Sequence, residues 1–203
     1  MKDTLFTIGH STQSVETFIN LLLLHSINCV VDVRSTPYSQ YASQFNEPEI
    51  KAALKKAGIQ YINMGKEFGA RRDNPKLYDT DGKLDFEKVP LDDDFINGVN
   101  RIKDGLKKDY NIAFMCTEKD PQDCHRCILV GKTFNDILGI HVENIKINGD
   151  LVSQAEIGKL LVERYFPERS QVSLFSADNK TEQEYIEEAY KIRGREIAYQ
   201  ITK

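Results

Sequence analysis

No stretch of this chain holds the roughly 20 consecutive apolar residues that a membrane-spanning helix needs, which excludes a helical integral membrane protein. The first ten residues, Met1 to His10, likewise lack a long apolar run or a small-residue cleavage site, so a cytoplasmic location is expected. A surplus of charge of one sign is also missing. The net charge of −4 gives no global attraction to nucleic acid or to an anionic membrane, and contact with nucleic acid would need a local basic patch. Cysteine is scarce, and three of the four lie between positions 116 and 127. Thiols clustered in this way are expected to be reduced groups or ligands, not the disulfide framework of a small secreted domain.

What is present is the composition of an ordinary globular protein, 40% apolar and 29% charged over 203 residues. That length suits one compact domain with an appended element. Apolar runs at Leu5 to Ile8 and Ile27 to Val33 flank a dense helical stretch from Val15 to Leu24, which makes a βαβ unit. A helix from Glu47 to Ala57 ends at Gly58 and leads into a third strand, Ile59 to Met64. Residues 71–94 are polar with turn signals at Asn74-Pro75 and Asp81-Gly82, an excursion placed to cover or border a site. Helical spacing returns at Phe95, Ile96, Val99, Ile102 and Leu106, before a buried strand from Asn111 to Met115. Asp120-Pro121 then signals a helix start, and the helix is expected to run to about Leu138, before Gly139. A strand at Val142 to Ile147 is followed by the turn Asn148-Gly149. Ser153-Gln-Ala-Glu156 is a capping box, opening a helix to about Phe166. The fold class is therefore α/β: a single domain, residues 1–170, with a mainly parallel sheet and helices on both faces. Residues 171–203 form a C-terminal extension, expected to dock as a helix.

Ligands in such folds sit beyond the carboxyl ends of the strands. Polar groups gather where these strands end: Gly9-His10-Ser11, Asp32-Val33-Arg34-Ser35, Gly65 to Arg72, and Cys116-Thr117-Glu118. Asp32 and Arg34 are two apart on a strand and share a face, either as an ion pair or as ligand-facing groups. Arg34, Arg126, Arg71 and Arg72 suit capture of phosphate or carboxylate, with Ser11 and Ser35 beside them. Cys124 sits near a helix start, where a thiolate is favoured, and is the candidate nucleophile. His10 or His125 would carry protons, and Asp32 and Glu118 would act as acid/base groups or orient the arginines. Replacing Asp32 with Asn is then expected to abolish activity and leave stability near wild type.

Cys116, Glu118, Cys124 and His125 together are an alternative metal set, zinc or iron, in which Cys116 and Cys124 are ligands. Against it, the spacing matches no standard zinc pattern, and neighbours such as Cys124 and His125 on a helix point about 100° apart. Cys127 falls on a stripe with Gly131, Phe134 and Leu138, which places it in the core, as Cys29 is within its strand.

With Thr7-Ile8-Gly9-His10-Ser11, Asp32-Val33-Arg34-Ser35-Thr36-Pro37, Met115-Cys116-Thr117-Glu118 and Cys124-His125-Arg126 in hand, the chain resembles a bacterial and archaeal family known as domain of unknown function 488. The likeness covers about residues 4 to 165, with the motifs in the family's order. It departs at Cys127, where similar chains usually carry a small residue. The family has no settled activity, so the resemblance implies a fold and a site region and leaves the reaction open. The expected function is an enzyme acting on an anionic, phosphate-bearing substrate, nucleotide or nucleic-acid derived. A non-catalytic module binding nucleotide or nucleic acid and a metal-site protein are the alternatives.

Overall fold

The computed structural model describes residues 4–168 and 180–201. Its centre is a six-stranded sheet in the order β3, β2, β4, β1, β5, β6. The strands are β1 (Thr4–Gly9), β2 (Cys29–Asp32), β3 (Gln60–Asn63), β4 (Ile112–Cys116), β5 (His141–Ile145) and β6 (Leu151–Ser153). The first five are parallel to their neighbours, and β6 runs antiparallel to β5. The α/β architecture with a mainly parallel sheet holds, and the antiparallel edge strand is an addition. It spans only three residues after the Asn148-Gly149 turn, too few for a period-two pattern to register.

Strands buried on both faces need apolar residues at odd and even positions alike. Val31, Val33, Phe114 and Cys116 pack on one face against α4 (Asp93–Lys107), through Phe95, Val99, Ile102 and Leu106. Val30, Ala113, Met115 and Ile145 pack on the other against α1 (Val15–Leu24) and α2 (Glu47–Lys56), through Phe18, Leu22, Ile50 and Leu54. Each buried phenylalanine or leucine of these layers is worth about 1.5–3 kcal/mol relative to exposure. Between β3 and α4 lie the short helix α3 (Gly65–Phe68) and the polar excursion. That excursion is held by two single turns, Pro75–Leu77 and Val89–Leu91, and by Leu84 N–H donating to the Tyr199 carbonyl.

The expected helix after Asp120 differs in form. Asp120 caps a single turn, Pro121–Asp123, and Cys124 then adopts an extended backbone, φ −136° and ψ 136°. Helix resumes at His125 with the wider π-helical winding over Arg126–Gly131 and Thr133–Ile137. Such winding is rare and tends to mark functional sites. The capping box at Ser153 forms as read, opening α5 (Gln154–Tyr165). The last helix, α6 (Glu182–Ile197), carries its own capping box at Thr181. It packs against α5 and the π-helical run through Tyr185, Ala189 and Tyr190.

Candidate functional site

β1 and β4 are neighbours, yet the chain leaves β1 for β2 on one side and leaves β4 for β5 on the other. Their carboxyl ends therefore open the switch-point crevice at which α/β sheets bind ligands. The parallel ladder extends past both strands, with His10 N–H donating to the Cys116 carbonyl (2.9 Å) and Ser11 N–H to the Thr117 carbonyl (2.8 Å). Ser11 takes a left-handed φ of 48°, unusual for a residue with a side chain and a form of strain that collects at functional sites. At Gly9 a Cβ atom would lie 1.8 Å from the Glu118 carbonyl oxygen and 3.0 Å from Arg126 Nη2. Only glycine lets these two connections close on one another.

Two groups of side chains meet at this rim. In the first, the fully buried Asp32 accepts from Arg34 Nε (2.9 Å), Arg34 Nη2 (2.5 Å), the Arg34 backbone N–H (3.1 Å) and the Tyr61 hydroxyl (2.7 Å). Arg34 Nη2 also donates to the Phe45 carbonyl, and its Nη1 to His10 Nε2 at 3.1 Å. His10 Nδ1 carries the ring proton, because it donates to the Ser11 carbonyl at 2.8 Å. The His10 ring stacks on Phe45 with centroids 4.3 Å apart. Burial, reinforced by the Arg34 charge, lowers the His10 pKa from 6.5 to about 4, so the imidazole is neutral at pH 7. Both of its nitrogens are engaged, which makes it a holder of Arg34 and not the free proton carrier expected above.

In the second group, His125 donates from Nε2 to the Val33 carbonyl at 3.1 Å. That bond leaves Nδ1 facing Cys116 Sγ at 3.8 Å and Cys124 Sγ at 3.9 Å. Arg126 is fully buried and donates from Nη1 to the Glu118 carbonyl (2.7 Å) and from Nη2 to the Lys119 carbonyl (3.4 Å). Among the described residues its Nε has no hydrogen-bond partner. Burial raises the Cys124 thiol, but the hydrogen bond from Cys116, the Arg126 guanidinium and His125 outweigh it and hold Cys124 well below the ordinary thiol range. Cys116 moves up, first because it hydrogen-bonds Cys124 and then because it is buried. Glu118 is raised by burial and by the Cys124 charge. The pair of sulfurs is thus set up to hold one proton between them.

The structure gathers His10, Asp32, Arg34, Cys116, Cys124, His125 and Arg126 at one rim, with Ser11 and Glu118 beside them. Arg72 does not join them. Its guanidinium is tied to the Lys66 and Glu67 carbonyls and to Asp92, and it lines a separate polar cavity of about 390 Å³ with Lys66 and Asn74. Arg71 is exposed over the Tyr199 ring, and its backbone N–H donates to Ser35 Oγ. Cys127 is buried away from the rim, with its sulfur on Gln154, and burial pushes its thiol up to about 12.

The objection that Cys124 and His125 diverge by a helical step fails, because Cys124 is extended and lies just outside the helix. Two contributors went unread in the sequence: Tyr61 and the Val33 carbonyl. Only the β2–β3 register, which sets Val31 against Ile62 and Asp32 against Asn63, brings the Tyr61 hydroxyl to the Asp32 carboxylate.

No curated protein and no solved structure matches the chain. One family model does, over residues 14–132, a span that includes Asp32, Arg34 and the whole Cys116 to Arg126 segment. The match covers more than half of the sequence, and the chain belongs to the family described as Domain of unknown function DUF488.

Proposed function

We propose that the protein is a cytoplasmic enzyme that binds an anionic, phosphate-bearing substrate, nucleotide or nucleic-acid derived, at the switch-point rim. Its reacting centre is the cluster of Cys116, Cys124 and His125. The observation that carries this reading is the convergence of two buried sulfurs on His125 Nδ1 beside the fully buried Arg126, with Cys124 the sulfur that these neighbours favour as a thiolate. A buried thiolate is costly unless its charge is used or compensated, and reactive groups are where such perturbations collect.

The anionic substrate follows from what else points at the rim. The amino end of α1, capped by Ser14, follows β1, and the helix resuming at His125 follows β4. Both helix starts follow the strands whose carboxyl ends form the crevice, and the amino end of a helix favours phosphate. The Arg34 guanidinium acts from behind, through its charge, since all three of its nitrogens are bonded within the protein, and Arg126 adds a second buried charge whose Nη1 and Nη2 are bonded to the Glu118 and Lys119 carbonyls. Exposed Arg71, Tyr38 and Tyr41 offer contacts for the rest of the substrate.

The test is alkylation of Cys124 by iodoacetamide on chelator-treated protein, followed by mass spectrometry. Each member of a panel of inorganic phosphate, nucleoside phosphates and short oligonucleotides is added in turn. The expected results are a reaction midpoint below the ordinary thiol pKa and protection by at least one phosphate-bearing compound. If no compound alters the alkylation rate, no anionic ligand occupies this centre and the reading fails.

A further inference from the structure

We propose that Cys116, Cys124 and His125 hold one zinc ion, with the fourth coordination position open to water or a substrate oxygen. The proposal rests on the cluster's being the reacting centre and assigns its sulfurs to ligation instead of direct attack. The three donor atoms lie within 4.8 Å of one another, all on buried residues or, for His125, a ring facing inward. A tetrahedral ion with Zn–S near 2.3 Å and Zn–N near 2.0–2.1 Å sets sulfur and nitrogen about 3.6 Å apart. The observed separations from His125 Nδ1 are 3.8 and 3.9 Å, within a few tenths of an ångström of that value, and the two sulfurs lie within 4.8 Å of each other, to be drawn in by the ion.

The surroundings match a ligated site in a second, independent respect. A metal-binding imidazole ordinarily donates its other ring N–H to a carbonyl or carboxylate, which fixes the tautomer and aims the lone pair. His125 Nε2 does this to the Val33 carbonyl. Among the described residues no fourth donor joins the three: His10 has both nitrogens engaged, both Asp32 oxygens accept hydrogen bonds, and the Glu118 carboxylate lies outside the set of donor atoms within 4.8 Å of one another. Three protein ligands with one position left over is the pattern of a catalytic zinc, whereas structural zinc is closed by four.

The charges add in the same direction. One doubly positive ion with two thiolates and a neutral imidazole is neutral, and Arg126 beside it leaves a net positive centre. Such a centre favours an anionic fourth ligand, hydroxide or a substrate oxyanion. Binding releases the remaining thiol proton or protons to solvent.

The experiment is anaerobic titration of reduced, metal-free protein with cobalt(II), read by its thiolate-to-cobalt charge-transfer absorption and followed by displacement with zinc. Saturation at one equivalent is expected, with the band unchanged in Cys29→Ser and Cys127→Ser. Its intensity should fall to roughly half or vanish in Cys116→Ser and Cys124→Ser, which each remove one of two thiolate ligands. Failure of wild type to give a saturable band overturns the proposal without relying on any variant's folding. So does a band that survives both ligand substitutions. No band, combined with phosphate protection of Cys124 from alkylation, removes the zinc and leaves the anionic-substrate reading standing. A full band, combined with no protection by any phosphate compound, does the reverse.

Discussion

Asp32 shows how far a residue's role is set by its partners. From the sequence it is a charged group near a strand end, free to serve a ligand or an ion pair. In the fold its two oxygens meet four donors, from Arg34, from its backbone and from Tyr61, with no solvent exposure. Breaking a buried pair from one side leaves the other charge uncompensated, at a cost of about 3–5 kcal/mol. Asp32→Asn is therefore expected to lower unfolding stability by about that amount in urea, contrary to the near-wild-type stability that sequence position alone suggested. A midpoint within error of wild type would show that Arg34 finds another partner. The same contrast separates the cysteines. Cys29 and Cys127 were legible as core from their apolar stripes. The meeting of Cys116 with Cys124 was not, because it depends on one extended residue where a helix was expected.

At the scale of elements, the strand-helix alternation was legible almost throughout, since apolar runs bounded by glycine and capping residues follow from local chemistry. What local chemistry does not reveal is how α6 meets the site. Arg193, on α6 and nearly buried, donates from Nε to the Gln122 carbonyl (2.9 Å), pairs with Asp123, and donates from Nη1 to Glu196 (2.7 Å). Gln122 and Asp123 form the turn that delivers Cys124. The C-terminal helix thus clamps the loop whose conformation brings Cys124 to His125, over a sequence separation of about 70 residues. Arg193→Met keeps the buried stem and removes these bonds. It should raise the alkylation rate of Cys124 and weaken cobalt binding several-fold while leaving helix content unchanged by circular dichroism. If Cys124 reactivity stays at the wild-type value, α6 is only a cover for the apolar face of α5.

At the scale of the whole molecule, the rim groups and the surface carboxylates divide the acid limb of the stability curve into two windows. His10 has a folded pKa of about 4 against an ordinary 6.5, because the fold buries it neutral. The unfolded chain therefore binds a proton that the folded chain refuses between these values, and stability falls as pH drops from 6.5 toward 4. The gap corresponds to about 3 kcal/mol. Carboxylates held low in the fold act below that range. Asp92 is one, since hydrogen bonds from Asn74 and Arg72 outweigh its burial, and Glu156 and Glu184 in their capping boxes are others. Their stabilisation is present above their unfolded values and is lost as pH falls through the folded ones. His125 works in the opposite sense. Burial lowers it, but Cys124 more than restores it, so its contribution is complete below 6.5 and is lost as pH rises through its folded value. The fall in stability between pH 6.5 and 4 thus comes from His10, while Glu118, raised in the fold, works against it at the lower end of the window. Urea unfolding of chelator-treated protein at half-unit pH steps should show that slope in wild type. His10→Gln, which keeps an acceptor for Arg34 and cannot titrate, should be flat until the carboxylates enter. Equal slopes in the two proteins would mean that His10 protonates in the folded state with no penalty, and that the Asp32, Arg34 and His10 network opens to water as a unit.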